Sequence, residues 1–184
     1  MTKKLVESGI SIYDERKASI EELSKLSISF YSQISDKDDC SVTYDSHLDK
    51  NDFKTLLKQS FNRDVILGYT TTGIHRDDVV FGFNNALLKN TGSQGQKKSF
   101  LLSLKFAQYQ SIYEKKKTPP ILLLDDLFDK LDTERTKKVY EIIDGQNFGQ
   151  IFITDTDKTL LESFVYNNKH DGSFWRLEDG KISM

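Results

Sequence analysis

The sequence predicts an α/β protein, with a parallel sheet and flanking helices in its second half and a helical segment at its N-terminus. Three observations predict it. The run Ile121-Leu122-Leu123-Leu124 is aliphatic and unbroken, follows Pro119-Pro120 and ends in Asp125-Asp126. A short apolar run between breakers is the pattern of a strand buried on both faces, as in a parallel sheet. A second such run, Ile151-Phe152-Ile153, follows with helical spacing between the two, so strand and helix alternate. Finally, Ile20, Leu23, Leu26, Phe30 and Ile34 recur at steps of three and four with charges between them, the stripe of an amphipathic helix over 3–35.

The whole-chain figures narrow the class. The 184 residues suffice for one good core, but 37% hydrophobic and 29% charged residues suit exposed helices or a piece of a larger fold better than a dense single core. A net charge of −2 announces no global basic field, so any DNA contact falls to a local patch such as Lys3-Lys4, Lys97-Lys98 or Lys115 to Lys117. The lone Cys40 leaves no internal disulfide and fits a reducing compartment. No apolar run approaches the roughly 20 residues needed to span a bilayer. The N-terminus has no apolar stretch of signal-peptide length. The expectation is a soluble cytoplasmic protein with no membrane partner.

Taken in order, the long helix carries one weak point, Gly9, and ends in a polar break over 35–39. Val42 and Tyr44 alternate with polar residues and predict a short strand. Phe53, Leu56, Leu57 and Phe61 predict a helix over 52–63, stopped at Gly68. The polar stretch 69–78 is a turn, in which His75 reads as a hydrogen-bonded loop residue and Arg76 as a local ion pair with its neighbouring aspartates. Val79 to Phe83 and Ala86 to Lys89 flank Asn84-Asn85 and predict a hairpin. Gly92 to Ser99 is a small-residue loop opening a helix through Phe100, Leu101, Leu104 and Ala107, an anion-binding arrangement. Lys115 to Lys117 is a solvated helix end. After the central strand comes a loop over 127–132, then a helix from Thr133 to Asp144 with Val139, Ile142 and Ile143 inward and Gly145 as its cap. The strand at 151–154 ends in Asp155-Thr156-Asp157. Leu160, Leu161, Phe164 and Val165 mark another helix, and 174–182 a terminal hairpin.

Adjacent carboxylates at the carboxyl end of a parallel strand lie where α/β folds place ligands. They repel unless a cation intervenes, and Mg²⁺ held by phosphate oxygens is the usual answer. Asp125-Asp126 thus has the form of a Walker B strand. Two readings of Gly92 to Ser99 compete. As a phosphate loop of the type G-x-x-x-x-G-K-[ST], Lys98 and Ser99 fit, but position 97 is Lys where backbone closure needs Gly. As the signature loop of ABC-type ATPases, Ser93, Gln94, Gly95 and Gln96 occupy its last four positions. The order that follows supports this second reading: helix, Asp125-Asp126, a Leu131-Asp132 pair for the D-loop, and a switch position at Thr154-Asp155.

Gly73-Ile74-His75-Arg76-Asp77-Asp78, Gly92-Ser93-Gln94-Gly95-Gln96 and Leu122-Leu123-Leu124-Asp125-Asp126 together resemble the RecF family, relatives of the ABC-type chromosome-maintenance ATPases. The similarity covers essentially the whole chain and matches a C-terminal portion without the Walker A lobe. It implies an ABC-type ATPase half, with a helical arm segment at 1–68 and the C-terminal part of the head at 69–184. It implies ATP and Mg²⁺ as cofactors. It also implies ATP-dependent homodimerisation in the full-length protein, and binding of double-stranded DNA and single-strand/double-strand junctions. Action with RecO and RecR to load RecA in gap repair, replication maintenance and the SOS response is implied as well. On the matching positions Asp125 would hold Mg²⁺ and Asp126 would polarise the attacking water. Ser93, Gln94, Gly95 and Gln96, with Asp132 as the D-loop acid, would complete the nucleotide site of a partner subunit.

The sequence departs from the family at three places. Ile74 stands for the family's Pro, Asp129 for its frequent Ser, and Asp155 near the switch His of many ABC ATPases. Phosphoryl transfer depends on positioning and charge neutralisation. A chain without a phosphate loop is therefore expected to be inactive alone, although the full-length protein would be a weak ATPase. Two other classes fit parts of the sequence. A metal-dependent phosphoesterase or nuclease would use Asp125, Asp126, Asp155 and Asp157 for two metals. A binding module would use the same acids only to shape loops.

Overall fold

The computed structural model describes residues 2–35, 39–146, 148–167 and 172–183. The middle of the predicted polar break, 36–38, and the side chain of Val165 lie outside the described residues. Helix α1 (Thr2–Ile34) realises the predicted stripe. Near its end Phe30 and Tyr31 point about 100° apart around the helix and so enter two different cores.

Gly9 proves to be a seat. A Cβ there would stand 2.3 Å from the ring of Phe53, the first residue of α2 (Phe53–Leu67). Asp52 caps α2 by accepting the N–H of Thr55, and Gly68 ends it at φ +74°.

The first core is built on a three-stranded antiparallel sheet in the order β1 (Cys40–Asp45), β2 (Asp78–Phe83), β3 (Ala86–Leu87). Asn84 and Asn85 take φ +46° and +63°, the left-handed pair that a two-residue hairpin turn requires. The second hairpin strand is shorter than predicted, because Leu88 and Lys89 enter a single-turn helix, α3 (Leu88–Thr91). Tyr31, Val42, Phe83, Leu88 and Phe100 close this core.

The second core lies under a two-stranded parallel sheet, β4 (Leu122–Leu124) and β5 (Ile151–Ile153), in the register Leu124↔Ile153. Helix α4 (Gln94–Lys116) packs along α1 and brings Leu102, Phe106 and Tyr109 to this core; α5 (Thr133–Gly145) brings Val139, Ile142 and Ile143. The predicted burial of the central strand on both faces is corrected here. Side chains alternate across a strand, and the helices cover only the Leu122 and Leu124 face. Leu123 is 61% exposed and Phe152 52%, with Ile121 beside them at 60%. Gly145 is the last helical residue of α5 rather than its cap, which is Gln146.

Helix α6 (Lys158–Asn167) follows β5 and packs Leu160, Leu161 and Phe164 against this core. The terminal hairpin, β6 (Arg176–Glu178) and β7 (Lys181–Ser183), turns through Asp179 and Gly180 and leaves Leu177 and Ile182 exposed. The segments predicted as 1–68 and 69–184 meet intimately, since β1 pairs with β2 and α1 lies along α4. Among the described residues no helix is long and apolar enough to cross a membrane.

Candidate functional site

The chemistry predicted from sequence gathers at the carboxyl end of the parallel sheet. Beyond Leu124 the chain turns sharply. Asp126 adopts φ +47°, and Leu127 and Phe128 dive into the core. Burying these two side chains fixes the turn, so Asp125 and Asp126 stand exposed at its rim.

The neighbouring strand completes the turn. With β5 in parallel register, Thr154 falls beside Asp125. Its hydroxyl donates to the Asp125 carboxylate and accepts the backbone N–H of Asp126 at 3.2 Å. The next residue, Asp155, spends its carboxylate on backbone: one oxygen accepts the N–H of Phe128 at 2.7 Å and the other that of Asp157 at 2.9 Å. Asp155 therefore organises the loop that follows β4. The Asp126 carboxylate and the second Asp125 oxygen accept no hydrogen bond among the described residues.

The loop expected to be the signature, Ser93 to Gln96, meets the same turn. Ser93 is the N-cap of α4 in a capping box: its Oγ accepts the N–H of Gln96 at 3.2 Å, and Gln96 Oε1 accepts the N–H of Ser93 at 2.8 Å. Gln94 and Gly95 form the first helical turn, with free amides at the positive end of the helix. Gly95 is required by packing: a Cβ there would lie 2.9 Å from the Lys130 carbonyl oxygen and 3.0 Å from Arg135 Nη1. Asp132 caps α5 by accepting the N–H of Arg135 at 2.9 Å. Ser93 to Gln96, the acids Asp125-Asp126 and the loop through Asp132 are thus one contiguous assembly.

The phosphate-loop reading of Lys98 and Ser99 does not survive. Ser99 is fully buried inside α4, so its hydroxyl cannot reach a cation. Lys98 Nζ donates to the carbonyl oxygens of Asp126 at 2.7 Å and Asp125 at 3.3 Å. The four-acid, two-metal arrangement is not assembled either. Asp155 is committed to amides, and among the described residues no three acidic, His or Cys side chains converge as a metal site. A single-carboxylate Mg²⁺ site at Asp125 fits the donors present, because Mg²⁺ commonly takes one or two carboxylates and fills its shell with phosphate and water.

The Gly73 to Asp78 motif performs a different task. Asp77 is buried; it accepts the hydroxyls of Ser46, at 2.7 Å, and Tyr44, with Arg16 of α1 at 3.7 Å. Burial and this carboxylate push the Tyr44 hydroxyl pKa up. Arg16 also donates to the Ile74 carbonyl at 2.7 Å. Arg76 makes no ion pair with its neighbouring aspartates, contrary to expectation, and lies over the Tyr69 ring at 5.4 Å. His75 Nε2 sits 2.9 Å from the Thr70 carbonyl oxygen, the hydrogen-bonded loop role predicted for it. Arg16 was missed from sequence; Thr154-Asp155 was marked as a switch position, but the bonds of Thr154 to the Asp125-Asp126 turn and the anchoring of Phe128 by Asp155 were not foreseen. The clue to Thr154 was available, since the residue ending one parallel strand abuts the residue ending its neighbour.

No family model matches the chain. Curated relatives do. The DNA replication and repair protein RecF of Bacteroides fragilis (strain ATCC 25285) is 41% identical over 180 residues, 97% of this chain and 49% of the relative. RecF of Azobacteroides pseudotrichonymphae is 42% identical over 176 residues, 95% and 48% of the two chains. RecF of Flavobacterium johnsoniae is 40% identical over 164 residues, 89% and 46%. The chain spans about half the length of the curated relatives it matches. Among solved structures, the recombination mediator protein RecF with ATP, of the RecFOR pathway, superposes with a TM-score of 0.74 at 24% identity, over 98% of this chain and 48% of that one. An SMC ATPase, from work on ATP-driven dimerisation and DNA-stimulated activation, superposes with a TM-score of 0.56 at 15% identity, over 92% and 86%. The fold is that of RecF and SMC ATPase heads, and by sequence the chain belongs to the RecF family, as a segment about half the length of the members it matches.

Proposed function

We propose that the chain supplies the signature, Walker B and D-loop part of a RecF-type ATPase that acts in DNA repair. The observation carrying this reading is the docking of the α4 N-terminus on the Asp125-Asp126 turn, through Lys98 and Gly95. An unrelated acidic turn has no need of that arrangement, whereas a composite nucleotide site does.

In this reading Asp125 holds Mg²⁺, which supplies charge neutralisation on the phosphates when bound. Asp126, whose carboxylate projects unpaired from the turn, orients and deprotonates the attacking water. Ser93, Gln94, Gly95 and Gln96 present a hydroxyl, an amide and helix-end N–H groups to the nucleotide of a second subunit, and Asp132 faces the same site. The capping role of Ser93 uses only its acceptor, so its O–H remains a donor. ATP-dependent dimerisation on double-stranded DNA and junctions, with RecO and RecR as partners in loading RecA, completes the proposal. The arm portion is then the first part of α1 with α2, and the rest of the chain is head.

The test is Asp126→Asn in the chain joined to a separately made Walker A half of a RecF protein. ATP binding is expected to persist while hydrolysis falls by about a hundredfold or more, the range for a lost general base. Unchanged hydrolysis would overturn the assignment and favour the binding module.

A further inference from the structure

With the phosphate-loop reading gone, Lys98 has no role of its own in the proposed nucleotide site. It belongs to the first turns of α4, yet its ammonium lies on the Asp125-Asp126 turn, donating to the Asp126 carbonyl at 2.7 Å and the Asp125 carbonyl at 3.3 Å. The same two residues carry carboxylates, and among the described residues Lys98 pairs with neither. It grips the backbone and leaves both acids available.

The gripped peptide is the unusual one. Asp126 sits at φ +47°, a left-handed conformation that a non-glycine residue holds only when its surroundings fix it. Among the described residues its carbonyl otherwise accepts only the N–H of Asp129, at a long 3.2 Å. Thr154 holds the N–H of the same residue. Lys98 and Thr154 therefore clamp Asp126 from both ends of its backbone.

We propose that Lys98 is a positioning residue that fixes the orientation of the Asp126 carboxylate and ties it to the signature residues Ser93 to Gln96, which end two residues before it at the start of the same helix. This rests on the reading of Asp126 as the water-orienting acid. In a head-to-tail dimer the signature loop faces the partner's nucleotide and Asp126 faces its own. Lys98 then joins the two sites of one subunit through a single side chain.

Two measurements test it on Lys98→Met, which keeps the unbranched stem of the side chain and removes its donors, and on Lys98→Arg, which restores donors. In the chain alone, amide hydrogen exchange at Asp129, whose N–H reports the Asp126 carbonyl, is expected to quicken in the Met variant and to return toward wild type in the Arg variant. In the mixture with a Walker A half, kcat is expected to fall by about ten- to a hundredfold, the cost of a slightly misplaced group, while KM for ATP moves less than about threefold, as for an interaction that matters only in the transition state. The Arg variant should recover part of kcat. Wild-type hydrolysis that the Met variant matches overturns this proposal alone. Equal losses in kcat and ATP affinity with a lowered melting point overturn it too, by reducing Lys98 to a fold contact. A wild-type mixture that does not hydrolyse ATP overturns the functional reading, and this one with it.

Discussion

The carboxylate of Asp155 accepts the backbone N–H of Phe128 at 2.7 Å, joining the end of β5 to the loop that follows β4. Its other oxygen accepts the N–H of Asp157. An amide side chain has one acceptor oxygen and cannot serve both. Asp155→Asn is expected to lose one bond and Asp155→Ala both, at about 1–2 kcal/mol for a charge-assisted pair in a half-buried setting. Urea unfolding measures the cost. Hydrogen exchange at Phe128 should quicken in the same order.

Thr154→Val preserves shape and removes the hydroxyl shared by the Asp125 carboxylate and the Asp126 N–H. Both groups are reached by solvent, so stability should change by less than about 1 kcal/mol. In the complemented ATPase, hydrolysis should fall by about tenfold, equivalent to about 1.4 kcal/mol of barrier, with the Mg²⁺ requirement shifted to higher concentration.

Gly95→Ala places a methyl 2.9 Å from the Lys130 carbonyl oxygen and 3.0 Å from Arg135. Arg135 can swing aside, whereas the carbonyl cannot without moving the D-loop. Overpacking of this kind costs about 1–3 kcal/mol, and a thermal melt should report it. Preserved stability would mean that the signature helix and D-loop are not seated on each other.

Acid should loosen the helical framework. Glu22 is held below the usual carboxylate range by the Lys115 ammonium and then by the Ser111 hydroxyl, and it ties α1 to α4. Asp49 is lowered by the Tyr13 hydroxyl and Lys17, and Asp64 by the Thr71 hydroxyl. A carboxyl with a folded value below its unfolded one binds fewer protons when folded. Its contribution is full above the unfolded value, near pH 4, and is lost as pH falls through the folded one. Stability should therefore drop below about pH 4, and Glu22→Gln should flatten that drop, as read from urea midpoints across pH.

Local signals made much of this fold readable. The α1 stripe, the Asn84-Asn85 turn, the caps at Asp52 and Gly68 and the alternation around β4 and β5 are each written within a few residues. Ser93-x-x-Gln96 is itself a helix-start signature, although the sequence was read there only as an anion-binding loop opening a helix. What was hidden depends on how distant elements meet. The exposure of Leu123 reflects which face the helices cover, and a run of leucines does not state that. The Asp77 pairing with Arg16 needs α1 laid across β1. The contact of Lys98 with the Asp125-Asp126 turn needs α4 seated on that turn.

In the proposed function these residues form one part of a split nucleotide site. The most direct test is calorimetric titration of Mg-ATP into the chain alone, then into the chain mixed with a separately made Walker A half. No ATP binding is expected from the chain alone, and ATP-dependent association with hydrolysis is expected in the mixture. Tight ATP binding by the chain alone would contradict the proposed function.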